Sequence, residues 1–469
     1  MAERKRIYLC LAHMSEEGIE QKYIKEAFDT NWVVPLGPNV NGFEEDLTRF
    51  LACKETNVNV NPNLNHYRVV ALSSGTAAIH LALIGCGVGP GDEVIVQSFT
   101  FCASSHPVTY LGATPVFVDS ERETWNIDPE LLEYAIKDRI AKTGKKPKAI
   151  IPVALYGMPY RIDEIMAIAD RYEIPVIEDA AEGFGSRYNG QMLGTFGRYG
   201  ALSFNGNKMI TTSGGGALIC SPTSEQDGWG GADTIMWYAT QARESYPYYQ
   251  HEKIGYNYRM SNICAGIGRG QMTVANKHIE HHKHVQSLYE ELLADVPGIS
   301  VHCQPQQTCP LKNANGEQDV YDSNYWLCTI TLAPELRIKG QENAYKSVIK
   351  SAVGGAAGVI HEAETATTDC QPNDNVEALR VYLDQAGIEA RPVWKPMHCQ
   401  PVYRQGVVKM ENIRTKDEDI VCQTSDSSVA YINGISEDIF KIGMCLPAGP
   451  YVSDDDVRYI VEKIRAAID

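Results

Sequence analysis

The sequence predicts an α/β protein built on a mostly parallel central sheet, followed by a smaller α+β unit. Three observations carry this reading. Strand-length apolar runs alternate with helical runs between about residues 28 and 276, polar residues follow the strands repeatedly, and the texture changes near Lys277. Residues 1–27 form an N-terminal segment expected to pack on the smaller unit, and residues 28–276 form the larger one. Within it the strands are expected at Val69–Leu72, Glu93–Val96, Thr114–Val118, Ala149–Leu155, Pro175–Glu178, Gly200–Phe204 and Ala217–Cys220. Helical runs at Ala77–Gly85, Pro129–Ile140 and Ile162–Tyr172 separate them. Ser73, Ser74 and Gly75, then Ser98 to Thr100, Tyr156, Asp179, and Asn205 to Lys208 all follow predicted strands. Ligands of open parallel sheets bind beyond the carboxyl ends of the strands, so these positions converge on one crevice.

The smaller unit spans residues 277–469. Its expected elements are a long polar helix (IEHHKHVQSLYEELLADV), the strand-like YWLCTITL, the helical NVEALRVYLDQAG and the final SDDDVRYIVEKIRAAI. Residues 352–375 are rich in small and polar residues without periodicity and read as a surface insertion; NVNVNPNLN at 57–65 reads as a second loop.

With 44% hydrophobic residues over 469 positions the chain buries a large core, and a net charge of −17 argues against nucleic acid or an anionic membrane as general partners. The apolar runs are of strand length, so no membrane span is expected. Thirteen cysteines without CxxC pairs and a start lacking an apolar leader suggest reduced thiols in a cytoplasmic protein. His278, His281, His282 and His284 share one helical run, but no accompanying carboxylate and cysteine pattern defines a coordination geometry. They read as a solvated face, and no metal site is expected. No GxxxxGK[ST] is present and no GxGxxG opens a helix after a strand, which removes the kinase and dehydrogenase readings.

The chemistry concentrates in ALSFNGNKMITTSGGG at Ala201–Gly216 and IPVIEDAAEGFGS at Ile174–Ser186. A lysine in a Ser/Thr/Gly-rich loop, downstream of an aspartate ending an apolar strand, is what pyridoxal 5'-phosphate (PLP) requires. Lys208 captures its aldehyde and later moves a proton, while Asp179 faces the pyridine nitrogen and keeps it protonated. Asp179 also fits a helix N-cap, and a lone lysine is usually solvated; the two motifs together favour the cofactor. Gly75 and Thr76 open a helix after a strand, where backbone amides and hydroxyls suit a phosphate.

SSGTAAIHLAL, SFTFCAS, IEDAAEGFGS, SFNGNK and GYNYRMSNI, in that order, resemble the DegT/DnrJ/StrS sugar aminotransferase family over nearly the whole chain. SFNGNKMITTSGGG and RPVWKPMH are similar to its PglE-like subset, which aminates nucleotide-linked 4-keto-6-deoxy-hexoses. The resemblance implies a fold type I aminotransferase, alternating PLP and pyridoxamine phosphate (PMP) forms, a homodimer with shared active sites, and glutamate as amino donor. It places Phe101 on the cofactor's ring face, Ser203 and the neighbouring subunit's copy of Asn257 at its phosphate, and Arg391 and His398 near the nucleotide-sugar, where their own residue types leave surface salt-bridging or packing equally open. Glu182 stands where the family more often has His or Gln, so either the cofactor's ring oxygen or a substrate group is its partner. The implied substrate is a UDP-2-acetamido-2,6-dideoxy-4-keto-hexose. The alternatives are a PMP-dependent sugar dehydratase, which carries His where Lys208 stands, a 3-keto-sugar or GDP-sugar aminotransferase, and a non-catalytic PLP-binding sensor or scaffold.

Overall fold

The computed structural model describes residues 4–52, 67–226, 230–308, 311–312, 316, 318–345, 370–414 and 419–469. The proposed 57–65 loop and residues 352–369 of the proposed insertion therefore lie outside the described residues. The last residues of that stretch differ from the expectation. Cys370 is buried, and the Asn373 side chain accepts from the Val376 N–H at 2.9 Å, capping a helix at Asp374–Gln385.

The central sheet is formed by β1 (Arg68–Leu72), β2 (Glu93–Gln97), β3 (Thr114–Val118), β4 (Ala149–Ile151), β5 (Ile177–Asp179), β6 (Tyr199–Ser203) and β7 (Gly216–Cys220). One ladder runs β1-β7-β6-β5, and parallel bridges Ile150 to Val176 and Val153 to Asp179 carry it on to β4, then β2 and β3. Only β7 runs against its neighbours β1 and β6 in this stretch; the remaining pairings are parallel, as the alternation of strands and helices predicts. The strand expected over Ala149–Leu155 stops at Ile151. A tight turn at Leu155–Gly157 follows, with Tyr156 at φ 55°, a left-handed conformation costing a non-glycine residue about 1 kcal/mol or more.

After the long helix Ala275–Leu293, a second sheet forms from β8 (Ile299–Val301), β9 (Cys328–Leu332), β10 (Arg391–Pro392) and β14 (Gly443–Leu446), ordered β8-β9-β14-β10 and antiparallel throughout. The expectation that 277–469 is one separate unit is corrected in one segment. β11 (Lys409–Arg414), β12 (Asp419–Thr424) and β13 (Val429–Ile432) join the central sheet, with β13 parallel to β3. The reason is register: Val429, Ala430 and Tyr431 are buried against Val116, Phe117 and Val118, an apolar edge that would otherwise stand open. The N-terminal segment also divides. Ile7 and Leu9 bond to Gly387 and Ala448 of the later region, whereas the helix Ile19–Asp29 packs on Asn262–Met272 of the central one. Among the described residues no helix is long and apolar enough to cross a membrane.

The histidine-rich helix does not place all four histidines on its solvated face. His278 and His282 are buried, their Nδ1 atoms at 3.3 Å from the Met209 carbonyl and 3.1 Å from the Tyr325 carbonyl, and His281 Nε2 lies 3.0 Å from the Val452 carbonyl. Only His284 makes a surface pair, with Asp454 at 2.9 Å. Burial pushes His278 down to about 4 and His282 to about 3. A depressed folded pKa means that the unfolded chain binds the proton first, so stability falls as pH drops below about 6.5. Replacing His282 by Asn removes its share of that fall. Between pH 7 and pH 5 the wild type is expected to lose about 2 kcal/mol more than the variant in urea titrations. A difference between the two proteins that does not change with pH would contradict this.

Candidate active site

Beyond the carboxyl ends of β1, β5 and β6 lies a cavity of about 400 Å³. Gly75, Thr76, Phe101, Asp179, Glu182, Ser203 and Lys208 all line it, so seven of the residues singled out in the sequence come together.

One wall is the start of the helix Gly75–Gly85. Ser74 caps it, its Oγ accepting from the Ala77 N–H at 3.0 Å, and the amides of Gly75 and Thr76 belong to a first turn that has no intrahelical acceptors. The helix start lies against β6 and β7: a Cβ on Gly216 would come within 2.4 Å of the Gly75 nitrogen, and one on Gly75 within 3.0 Å of Ser203 Cβ. Only glycine at 216 permits that approach, which leaves Ser203 beside the helix N-terminus. Amides, the helix dipole and the Ser203 and Thr76 hydroxyls form a cradle for a dianionic phosphate.

Asp179 ends β5 and is buried. Its Oδ2 accepts from Ser104 Oγ at 2.6 Å and its Oδ1 from the Ala181 N–H at 3.1 Å, while Ser104 is held in turn by Thr100 Oγ1 at 2.7 Å. Burial raises its pKa; these two hydrogen bonds and the Lys208 charge oppose the rise. Glu182 is also buried, and its pKa is raised chiefly by burial and held back by Lys208. Its Oε2 accepts from the Tyr156 N–H at 2.7 Å, and its Oε1 lies 3.4 Å from Lys208 Nζ. The left-handed Tyr156 is thereby tied to Glu182, and its hydroxyl accepts from the Trp394 N–H at 2.7 Å.

Lys208 is 13% exposed in its side chain, and its Nζ lies 3.9 Å from the centroid of the Trp326 ring. Trp326 is fixed by its Nε1, which donates to the Asn207 carbonyl at 2.7 Å. The lysine thus stands between a buried carboxylate and an indole face, largely screened from bulk water. Phe101, 48% exposed, forms another side with Trp394, their centroids 5.4 Å apart. Trp326 and Trp394 were missed in the sequence, and only WKPMH, within the motif that includes Arg391 and His398, signalled one of them; Tyr156 was among the strand-end residues expected near the crevice.

Three expected residues are not brought to the cavity. His398 is fully buried elsewhere: Nδ1 is 2.6 Å from Ser98 Oγ and Nε2 is 3.2 Å from Glu437 Oε1. With both ring nitrogens engaged inside the protein, it does not present a cation to a nucleotide phosphate, and that expectation is corrected. Arg391 pairs with Glu389 at 2.9 Å beside β14. Asn257 is exposed, in a stretch with the exposed Tyr246, Tyr248, Tyr249 and Ile254.

The donor set fits PLP: a buried carboxylate for a protonated ring nitrogen, an amine for the aldehyde, an amide and hydroxyl cradle for the phosphate, and a cavity large enough for a pyridine ring with room beside it. Trp394 lines the same cavity, and its buried Nε1 has no acceptor among the described residues. The sequence profile of the DegT/DnrJ/EryC1/StrS aminotransferase family matches residues 14–353. A Bacillus subtilis (strain 168) protein, EpsN, which bears pyridoxal phosphate-dependent aminotransferase as a provisional name, is 38% identical over 458 residues, 98% of this chain and 95% of its own. The GDP-perosamine synthase of Escherichia coli O157:H7 is 30% identical over 98% of both chains. Among solved structures, a DegT DnrJ EryC1 StrS aminotransferase from Brucella abortus superposes with a TM-score of 0.70 at 26% identity, covering 96% of this chain and 95% of that one.

Proposed function

The chain belongs to the DegT/DnrJ/EryC1/StrS aminotransferase family, a PLP-dependent aminotransferase therefore, and from that premise we propose that it aminates a nucleotide-linked keto-sugar with glutamate as donor. The observation that carries the proposal is the convergence of Lys208, Asp179 and the start of the Gly75–Gly85 helix on one cavity. The bound cofactor supplies an electron sink that lets a proton leave the donor's α-carbon and the amino group change carriers.

The chain's residues do the rest. The helix start, with Thr76 and Ser203, holds the phosphate and fixes the register of the ring. Asp179, anchored by Ser104 and Ala181, keeps a proton on the ring nitrogen. Lys208 is the amine that would hold the cofactor's aldehyde, and when free its Nζ would hold and move the proton between the reacting carbons. Glu182 lies within reach of the released amine, and Trp326 roofs it against water. Phe101 covers a ring face. Asn257, exposed on its own chain, serves the phosphate of a partner subunit's site in a homodimer. The two half-reactions share one site, so ping-pong kinetics follow.

The substrate we assign is a UDP-2-acetamido-2,6-dideoxy-4-keto-hexose, on the likeness of SFNGNKMITTSGGG and RPVWKPMH to the PglE-like subset. A GDP-linked keto-sugar is the second reading, favoured by the relative named GDP-perosamine synthase. Incubating the PLP-loaded protein with glutamate and a panel of UDP- and GDP-linked keto-sugars, with product followed by mass and NMR, tests both. An amino-sugar from the UDP substrate, with 2-oxoglutarate released in equal amount, is the expected result. Turnover of the GDP substrate alone selects the second reading, and no amination of any member overturns both.

A further inference from the structure

We propose that Cys370, Cys399 and Glu437 form a binding site for a zinc-class divalent cation, behind the wall of the active-site cavity that carries Trp394. Ligand atoms of the three residues all lie within 4.8 Å of one another, and they are the only such His, Cys, Asp and Glu group among the described residues. Tetrahedral coordination with metal–sulfur bonds of about 2.3 Å places two sulfurs about 3.8 Å apart, compatible with that spacing. Two thiolates select a zinc-class ion over magnesium or calcium, and three protein ligands leave a fourth position to water.

Each donor comes from a separately anchored segment, so the arrangement does not depend on a metal to assemble it. Cys399 ends the turn Met397–Cys399, where the Met397 N–H donates to the Ser98 carbonyl at 2.8 Å and the His398 N–H to Ser98 Oγ at 3.3 Å. Glu437 stands in the first turn of the helix Ile435–Ile442, whose start is tied to Asp119 by the N–H groups of Gly434 at 2.9 Å and Ser436 at 3.2 Å. Cys370 precedes Asn373, whose N–H donates to the Lys441 carbonyl at the far end of that same helix at 2.8 Å. The two thiols are buried and Glu437 is partly so. His398, misplaced by sequence reasoning as a substrate ligand, acquires a role here. Its ring, fixed by Ser98, reaches Glu437 Oε1 at 3.2 Å, as an outer partner orients a ligating carboxylate. Lys395, whose charge reaches both thiols, and Lys441, whose charge reaches Glu437, partly offset the excess negative charge of two thiolates and a carboxylate around a divalent ion. A bound ion would clasp the turn following Trp394, fixing the indole that borders the cavity.

The test is a cobalt titration of the chelator-treated, PLP-loaded protein. One Co²⁺ per chain with the intense near-ultraviolet thiolate charge-transfer absorption, displaced by Zn²⁺, is expected. Cys399→Ser should lower that absorption by about half or more and weaken Zn²⁺ binding at least about tenfold, with Glu437→Gln weakening it while keeping the thiolate absorption. Should Cys399→Ser fail to fold, Cys370→Ser reads the same loss. An absorption unchanged in the cysteine variants, no absorption in the wild type, or a Cys370–Cys399 disulfide mapped in the purified protein would each overturn the site. None of these readings depends on transamination, so failure here is distinct from failure of the proposed activity.

Discussion

Lys208→Ala is expected to lower transamination by at least about 10³-fold, while the protein folds and retains pyridoxamine phosphate. The size follows from two losses at one atom. In the proposed mechanism Nζ is both the covalent anchor and the proton carrier, and no other amine stands among the residues lining the cavity. Glu182, at 3.4 Å from Nζ, accepts from the Tyr156 N–H and is tied to the turn after β4. The same substitution strips a buried carboxylate of its cation. Burial already raises the Glu182 pKa, and losing Lys208 raises it further, so the variant's stability is retained at acid pH and declines as pH rises through that higher value. Single-turnover amination from bound pyridoxamine phosphate, with Tm followed from pH 5 to 8, separates the two effects. Substantial multiple turnover by Lys208→Ala would contradict the proton-carrier role, whatever happens to its stability.

The core of the site was legible because it is made of strand ends. Asp179 closes Val176-Ile177-Glu178, and Lys208 follows the apolar Gly200–Phe204; a carboxylate or lysine at such a place is visible without knowing what packs above it. The roof was not legible, because Trp326 and Trp394 arrive from two distant segments and an isolated aromatic reads as core. His398 failed for a related reason: its neighbours Ser98 and Glu437 lie far away in sequence, and only the fold shows both ring nitrogens taken. The strands over Lys409–Ile432 were lost because their partner, β3, is a non-local parallel edge. The runs VVKMENIR and DIVCQT flanking the charged TKDE were the available hairpin signal. The histidine helix deceived in the opposite direction. Its polar composition suggested solvent, but neutral imidazoles hydrogen-bonded to backbone carbonyls pack inside at the expense of stability in acid.

Asp179→Asn is expected to lower kcat by about 10²- to 10⁴-fold with PLP still bound, a loss comparable to removing a principal electrostatic group. The amide matches the carboxylate in shape, so its oxygen continues to accept from Ala181. Its NH₂ group now faces Ser104, which turns its hydrogen toward Thr100 Oγ1, already 2.7 Å away. What disappears is the charge that holds a proton on the ring nitrogen, and with it the electron sink. The apoprotein should respond with the opposite sign. Burial raises the Asp179 pKa in the fold, so ionising it lowers stability as pH climbs from the unfolded value through the folded one; the asparagine variant is spared that loss. Apo Asp179→Asn should therefore be at least as stable as wild type at pH 7, its advantage shrinking toward pH 4, while its holoenzyme is nearly inactive. Activity within about tenfold of wild type would remove Asp179 from the mechanism. A variant destabilised equally at every pH would show that the buried carboxylate serves packing, since a group kept for chemistry at the expense of stability must reveal that expense when its charge is taken away.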